Sequence, residues 1–274
     1  MLKSVDSPTS GWSSRVFAAL TLFFVAVFVT IIAMLIIADI LYIDKQAVIE
    51  VLKADFVRDS LWVSVWTSFT ATAISLLFAI PMGYALSRFR FPGRLLADTI
   101  VDLPIVFPPL VAGLTLLVFF SQTFIGSWIE DGLGFEFVFQ PKGIVLCQLF
   151  VSASFAIRSA KTAFDDVELR GEHVAMTLGC TRWGSFRYVA LPLAKNGIIA
   201  GGILTWARAF GLFGPLMIFA GTFRGRTEVL STTIYLELSA GNLEFALAIA
   251  LLMIFIALIS LMIIRAVGGK AQIL

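Results

Sequence analysis

Long apolar stretches alternate with polar segments along the chain, and this alternation predicts six membrane-spanning helices. The first stretch, Val16 to Ala38, contains 23 residues and no charge. At about 1.5 Å per residue, a helix of this length spans the roughly 30 Å hydrocarbon core of a bilayer. The six predicted spans are about 16–38, 61–87, 100–125, 143–164, 193–221 and 243–265. The pattern predicts an all-α integral membrane protein with one transmembrane domain at 16–266 and short tails at 1–15 and 267–274.

The polar segments between the predicted spans differ in character. Residues 39–60 are charged, and part of this segment fits a short interfacial helix. Residues 122–142 and 222–242 are interpreted as loops. Arg158 and Lys161 lie near the end of the fourth span, where long basic side chains can extend to the membrane surface.

Residues 165–192 form a polar segment whose first half has helical periodicity. The apolar side chains that can share one helix face are Val167, Val174, Ala175 and Leu178. Gly179 fits a helix stop, because glycine adopts the left-handed conformation at little cost. Pro192 falls where the next span begins, and proline is tolerated in a first helical turn. The segment is predicted to be a short amphipathic helix, a glycine turn and a re-entry into the membrane.

Three prolines interrupt the start of the third span. Pro104, Pro108 and Pro109 lie within six residues, and proline breaks or kinks regular helix. Broken backbone at membrane depth persists only where protein or a water-filled cavity surrounds it. The cluster therefore indicates an irregular segment that is enclosed by protein or borders a water-filled cavity.

Arg208 places a permanent charge inside the fifth span, near its middle if the helix begins at Pro192. A charge there is costly and normally faces a bundle interior or a cavity. One interpretation is that the guanidinium attracts an oxyanion or shapes a gate, since its geometry matches oxyanions. The other is a structural ion pair or a contact with backbone carbonyls. Gly211 and Gly214 follow it and fit either close packing or a hinge.

Composition supports a membrane protein, and the placement of charges orients it. Apolar residues make up 59% and charged residues 14% of the chain, with a mean hydropathy of +0.96, whereas soluble domains are about a quarter charged. Thirteen basic residues lie on the side of the termini and of residues 165–192, against six on the other side. Because basic residues favour the cytoplasm, both termini and residues 165–192 are predicted to be cytoplasmic.

The chain has few residues with which to perform catalysis. It contains no G-x-x-x-x-G-K-[ST] phosphate-binding loop. His173 is its only histidine, which excludes histidine clusters for metals. Cys147 and Cys180 lie in an apolar span and in the polar segment, so they are not expected to pair. A transport role is favoured over an enzymatic one.

The spacing after the predicted helix resembles the EAA loop of permease subunits in ABC importers. Gly179 is followed by nine residues, Val189, one residue and then 191–192, Leu-Pro. The triplet that gives the loop its name falls on 173–175, so His173 stands where the loop has its acid, and Glu172 lies one place earlier. By this resemblance, the residues that couple to a partner ATPase are Glu172, His173, Val174, Ala175, Gly179, Leu191 and Pro192. The alternative is an ordinary amphipathic connector.

Two further stretches resemble sulfate, molybdate and tungstate permeases. One is the proline cluster followed by Gly113, and the other is 207–214, in which Leu212 replaces the glutamate of the family element. The resemblance implies translocation of a tetrahedral oxyanion by alternating access. The implied pathway residues are Arg208, Pro104, Pro108, Pro109, Gly211 and Gly214.

The same resemblance implies a multi-subunit transporter in a bacterial or archaeal cytoplasmic membrane. The expected partners are two ABC ATPase subunits, an extracytoplasmic solute-binding protein, a second permease copy or paralogue, and membrane lipid, with no nucleic acid. ATP-Mg is expected on the ATPase subunits and no cofactor on this chain. The alternatives are a permease for another solute, a secondary transporter or channel, and a membrane-anchored assembly factor. A secondary transporter normally carries carboxylates in the middle of its spans, and no predicted span has one there.

Overall fold

The computed structural model describes residues 12–132 and 134–269, and the regular elements in these ranges are helices. In chain order they are α1 (Trp12–Tyr42), α2 (Lys45–Lys53), α3 (Asp55–Arg88), α4 (Arg94–Val106), α5 (Pro109–Gln122), α6 (Phe124–Ser127), α7 (Pro141–Asp165), α8 (Leu169–Thr177), α9 (Arg182–Ser185), α10 (Leu191–Phe210), α11 (Gly214–Phe219), α12 (Leu230–Ser239) and α13 (Leu243–Gly269). Two π-helical turns, Trp128–Gly132 and Phe186–Ala190, follow α6 and α9.

Five helical stretches are long and apolar enough to cross a membrane, and α4 with α5 provides a sixth if the bent pair counts as one span. The first, second, fourth and sixth predicted spans lie within α1, α3, α7 and α13. Helix α3 begins at Asp55 rather than at Leu61. The predicted tails at 1–15 and 267–274 fall largely outside the described residues.

The third predicted span, 100–125, is not one helix. Helices α4 and α5 meet at an angle of 112°. The break lies at Phe107 and Pro108, because Pro109 opens α5 and cannot donate a backbone hydrogen bond to the preceding turn. Pro104 is accommodated inside α4. The prolines therefore interrupt the span as predicted, but at the second and third of the three positions.

The fifth predicted span also needs correction at both ends. Helical structure begins at Arg182, passes through the π-turn and ends at Phe210. Pro192 lies in the first turn of α10, as predicted, although α10 continues a helical stretch that begins earlier. It follows a wide turn in which the Leu191 amide donates to the Phe186 carbonyl, and this turn makes room for the proline ring. Residues 211–213 then separate α10 from α11, so 193–221 is not continuous.

Two segments without predicted spans contain helices. Residues 39–60 include α2, whose Asp44 cap accepts a hydrogen bond from the Gln46 amide. The expected short helix is therefore present, and its location at a membrane interface stays a prediction. Residues 222–242, interpreted as a loop, contain α12. Its buried residues are mainly polar, so hydropathy alone does not reveal it.

Helix α7 lies at the centre of the described bundle and packs along both α3 and α10. Small residues allow this close approach. A Cβ atom added to Gly83 of α3 would lie 2.8 Å from the Ala160 Cβ, and one added to Gly197 of α10 would lie 2.5 Å from the Ala163 Cβ. Such small-residue contacts are a common basis of helix packing in membranes. The end of the bundle where α3 and α7 finish, beside α8, is called the α8 end below.

Candidate functional site

Residues 165–192 contain the short helix and the glycine turn that the sequence predicts. Gly179 follows α8 with a φ of 95°, in the left-handed region. Its amide donates to the Met176 carbonyl, and the Cys180 amide donates to the Ala175 carbonyl, both at 3.0 Å. These two bonds satisfy carbonyls that the end of a helix leaves open.

The buried face of α8 differs from the predicted apolar face. Val174 and Leu178 are 51% and 82% exposed, whereas Glu172 is only 4% exposed. Val167 is buried, but it precedes the helix. Helix α8 therefore attaches to the bundle through a carboxylate and turns apolar side chains outward. Amphipathic periodicity is present, but its apolar side is not the one that packs.

Glu172 is buried because it finds partners on α3. Its carboxylate accepts hydrogen bonds from the Arg88 Nε and from the Tyr84 hydroxyl, both at 2.8 Å. Arg88 also donates to the Val167 carbonyl at 2.7 Å, and the Ser185 hydroxyl donates to the Glu172 carbonyl at 3.3 Å. Buried charges of this kind persist only when paired and hydrogen-bonded. The arrangement fixes α8 to the end of α3.

Five large apolar side chains stand exposed on and beside α8. This apolar rim consists of Leu169, Val174, Leu178, Trp183 and Tyr188. His173 and Arg182 line an adjoining cavity of about 130 Å³, whose floor includes Glu172. Of the other predicted coupling residues, Leu191 is half-buried and Pro192 is exposed. Large apolar side chains exposed outside the apolar spans indicate an interaction site.

Arg208 lies in the last turn of α10 rather than in the middle of a span. Its side chain is exposed, and its guanidinium carbon lies 6.0 Å from the centre of the Phe155 ring. Among the described residues, it has no carboxylate within ion-pair distance. Leu212, at the position of the glutamate in the family element, is buried. The charge is thus available to a partner outside the described residues of this chain.

The two helix breaks lie against each other. A Cβ atom on Gly214 would lie 3.8 Å from the Pro109 Cβ, and one on Gly113 would lie 2.6 Å from the Pro215 carbonyl oxygen. The structure thereby brings together two of the predicted pathway residues, Pro109 and Gly214. Pro108, next to Pro109 at the bend, is exposed, whereas Gly211 lies near Met253 and Pro104 lines a groove beside Phe150.

A charged cluster between α4 and α7 is not predicted from the sequence. Arg158 contacts the carboxylates of both Asp98 and Asp102, and Lys161 lies 3.6 Å from Asp98. These two basic residues therefore pair with α4. The four-residue spacing of Asp98 and Asp102 places them on one helix face, and this spacing is the signal that could have revealed the cluster.

A second unpredicted group lies in 222–242. Glu228 is 2% exposed, and Arg224 lies 3.9 Å from its carboxylate. Arg224 also donates to Glu237 at 2.7 Å. No periodic signal in the sequence marks these residues.

The sequence of this chain matches a known family and several of its members. The sequence model described as "Binding-protein-dependent transport system inner membrane component" matches residues 75–271. The chain is 37% identical over 204 residues to the molybdate/tungstate transport system permease protein WtpB of Thermococcus kodakarensis, covering 74% of this chain and 76% of that protein. It is 35% identical to the molybdenum transport system permease protein ModB of Escherichia coli, covering 75% and 92%. It is 34% identical to the sulfate transport system permease protein CysT of E. coli, covering 76% and 75%.

Solved structures with the same fold have low sequence identity. A bacterial alginate ABC transporter in complex with an alginate pentasaccharide-bound periplasmic protein contains a chain with a TM-score of 0.71 at 17% identity, covering 96% of both chains. A chain of an amino acid ABC transporter has a TM-score of 0.57 at 16% identity, covering 78% of this chain and 93% of that one. At such identities the likeness concerns the fold alone.

Proposed function

Because the chain belongs to the family of binding-protein-dependent transport system inner membrane components, we propose that it is the membrane-spanning subunit of an ATP-driven importer of tetrahedral oxyanions. The relatives named for molybdate, tungstate, molybdenum and sulfate transport support this substrate class. The chain has no phosphate-binding loop of its own, so ATP-Mg belongs on partner ATPase subunits.

The proposed complex contains two of these ATPase subunits and two permease chains, the second being a copy or a paralogue. An extracytoplasmic solute-binding protein delivers the anion. The thirteen-to-six bias of basic residues supports placing the α8 end and both termini in the cytoplasm. ATP-driven closure of the ATPases would then move α8 and open the opposite end of the bundle, giving alternating access.

The apolar rim on α8 is the observation that carries the coupling role. Its side chains are 50–82% exposed, so a partner surface is needed to bury them. Glu172 holds α8 to Arg88 at the end of α3. A force applied to the rim therefore reaches a membrane-spanning helix through a buried ion pair. His173, Val174, Ala175, Gly179, Leu191 and Pro192 complete the proposed coupling segment.

Arg208 and the two helix breaks are the proposed contribution to the pathway. The guanidinium carries a permanent charge and has no carboxylate partner among the described residues. An anion passing α10 would meet this charge. Pro109 and Gly214, which lie together, fit a flexible junction between α5 and α11.

Reconstitution tests the substrate and the energy source together. The chain is placed in proteoliposomes with its ATPase and binding protein, and uptake of molybdate, tungstate and sulfate is measured with ATP inside or outside. We expect uptake of at least one of these anions only when ATP is accessible to the ATPase, with methionine as a solute that is not taken up. Uptake driven by an ion gradient without the ATPase would instead identify a secondary transporter.

The role of Glu172 is tested by breaking its pair from either side. Glu172→Gln or Arg88→Gln leaves one buried charge without its partner, which costs about 3–5 kcal/mol. We expect each change to reduce the amount of ATPase that copurifies with the permease, and the double change to be less harmful than the sum. Exposed Glu168→Gln, at the start of α8, is the matched control. Additive losses would contradict the paired role.

A further inference from the structure

A cluster of charged residues attaches α4 to α7 near the α8 end. The Arg158 guanidinium contacts Asp98 at 2.9 Å and also pairs with the carboxylate of Asp102. Lys161 Nζ lies 3.6 Å from the second oxygen of Asp98. The side chains are 19–37% exposed. Such partly buried pairs are screened by salt less than exposed ones.

Helix α4 has little else to hold it. It contains no fully buried residue, and only Ala97 and Val101 pack in part against the core. It begins after Gly93, whose φ is 84°, and ends at the break before Pro108. A short helix between a glycine turn and a helix break takes its position from its ion pairs. The charged cluster therefore sets where the proline-broken span lies.

The same cluster continues toward α8 without interruption. Lys161 Nζ lies 3.9 Å from the Asp165 carboxylate, and the other oxygen of Asp165 accepts a hydrogen bond from the Ser87 hydroxyl at 2.6 Å. The Ser87 oxygen in turn accepts a bond from Arg88 Nη1 at 3.1 Å. Arg88 forms the buried pair with Glu172.

We propose that this polar chain, which runs from Glu172 through Ser87 and Lys161 to Asp102, transmits movement of α8 to α4. The proposal rests on the proposed function, because it supplies the link between the ATPase-facing helix and the broken span. Its members are positioning residues that act through one another. Direct contacts of this kind form a contiguous physical network between two elements.

Lys161 lies within ion-pair distance of two carboxylates on different elements. Its ammonium lies between Asp98 on α4 and Asp165 at the end of α7, at 3.6 and 3.9 Å. A small displacement at Ser87 would shift Asp165, and the ammonium would then close on one carboxylate and leave the other. A coupling element requires two such alternatives that both sites can bias.

Ser87 is the uncharged member of the polar chain, so its substitution is the most direct test. Ser87→Ala removes the bridging oxygen and leaves the Arg88–Glu172 and Arg158–Asp102 pairs in place. We expect the amount of molybdate imported per ATP hydrolysed by the reconstituted complex to fall about three-fold or more. Ser87→Thr keeps the hydroxyl and should restore the ratio. Thr99→Ala on α4 is the matched control, because the Thr99 hydroxyl bonds to the Leu95 carbonyl of its own helix.

A second cut distinguishes transmission from ordinary destabilisation. Lys161→Gln should lower the same ratio. The double variant with Ser87→Ala should be no worse than the stronger single variant, because either substitution alone already interrupts the polar chain. Additive losses, or a fall in import that follows loss of assembled complex, would overturn the proposal. An unchanged ratio in Ser87→Ala beside active wild type would overturn it while leaving the proposed function intact. Absence of ATP-dependent import by wild type would remove both.

Discussion

At the residue scale, Arg208 combines a permanent charge with an apolar neighbourhood near the end of α10. We expect Arg208→Met to reduce oxyanion uptake about ten-fold or more, because no other group at that position supplies the charge. Arg208→Lys should recover only part, since ammonium lacks the planar fork of the guanidinium. Uptake in proteoliposomes measures both.

Lys195→Met, at an exposed position earlier in the same helix, is the control for loss of charge. Normal uptake by Arg208→Met would remove the residue from the pathway. Loss of the assembled complex in that variant would assign it a structural role instead.

Glu228 is a second residue whose surroundings lead to a prediction, here about how stability depends on pH. Burial raises the pKa of its carboxyl group above the ordinary value, and Arg224 opposes this only in part. The Thr233 hydroxyl donates to the Val229 carbonyl at 3.0 Å, so it does not donate to the Glu228 carboxylate. Helix α3 contacts this segment through the Ser64 hydroxyl, which accepts a hydrogen bond from the Leu230 amide at 2.8 Å.

The raised pKa predicts that the protein loses stability as the pH rises. The unfolded chain releases this proton near the ordinary glutamate pKa of about 4.3, whereas the folded protein holds it to a higher pH. Stability from Glu228 is therefore complete below the ordinary pKa and is lost as the pH rises through the folded value. Melting temperatures across this range should fall less steeply in Glu228→Gln than in wild type. Exposed Glu244→Gln should retain the wild-type slope, and an equal slope in Glu228→Gln would contradict the prediction.

At the element scale, α8 depends on its glycine stop to present the apolar rim. A Cβ atom on Gly179 would meet nothing within 4 Å, so its φ of 95° is the constraint on substitution. A non-glycine residue there costs about 1–2 kcal/mol, and a β-branched one more. The turn therefore fixes where α8 ends and where α9 begins.

Gly179→Val is expected to leave the chain inserted in the membrane while uptake per ATP falls, because the altered turn displaces the rim from its partner. Gly184→Ala, in the adjacent α9, adds a methyl group without the left-handed backbone and serves as the control. Insertion is checked by membrane fractionation and coupling by uptake with ATP hydrolysis. A normal ratio in Gly179→Val would show that α8 does not couple.

At the scale of the whole molecule, the two cysteines report its orientation. Cys180 is exposed beside the glycine turn, and Cys147 is buried in α7. With the α8 end in the cytoplasm, a membrane-impermeant maleimide should label inverted vesicles and not intact cells. Cys180→Ser should abolish that signal. Labelling of intact cells at Cys180 would reverse the proposed topology.

Periodicity and hydropathy determined much of the architecture. They located the apolar spans because a backbone in lipid must satisfy its own hydrogen bonds, which leaves helices of a fixed minimum length. They also placed α8 and its glycine turn, since both depend on local backbone geometry. The ends of the fifth span escaped prediction because the π-turn before Pro192 is invisible in hydropathy.

The partners of charged residues were decided only by the tertiary structure. Sequence spacing gives which residues share a helix face, but not which helix that face meets. Glu172 and Arg88 are separated by 84 residues, and Arg158 and Asp102 by 56. Their pairing requires α3, α4 and α7 to pack together, because burying a charge without an opposite charge beside it is costly. The sequence determined the spans and the coupling-like helix, whereas the packing of those helices decided which charges join them.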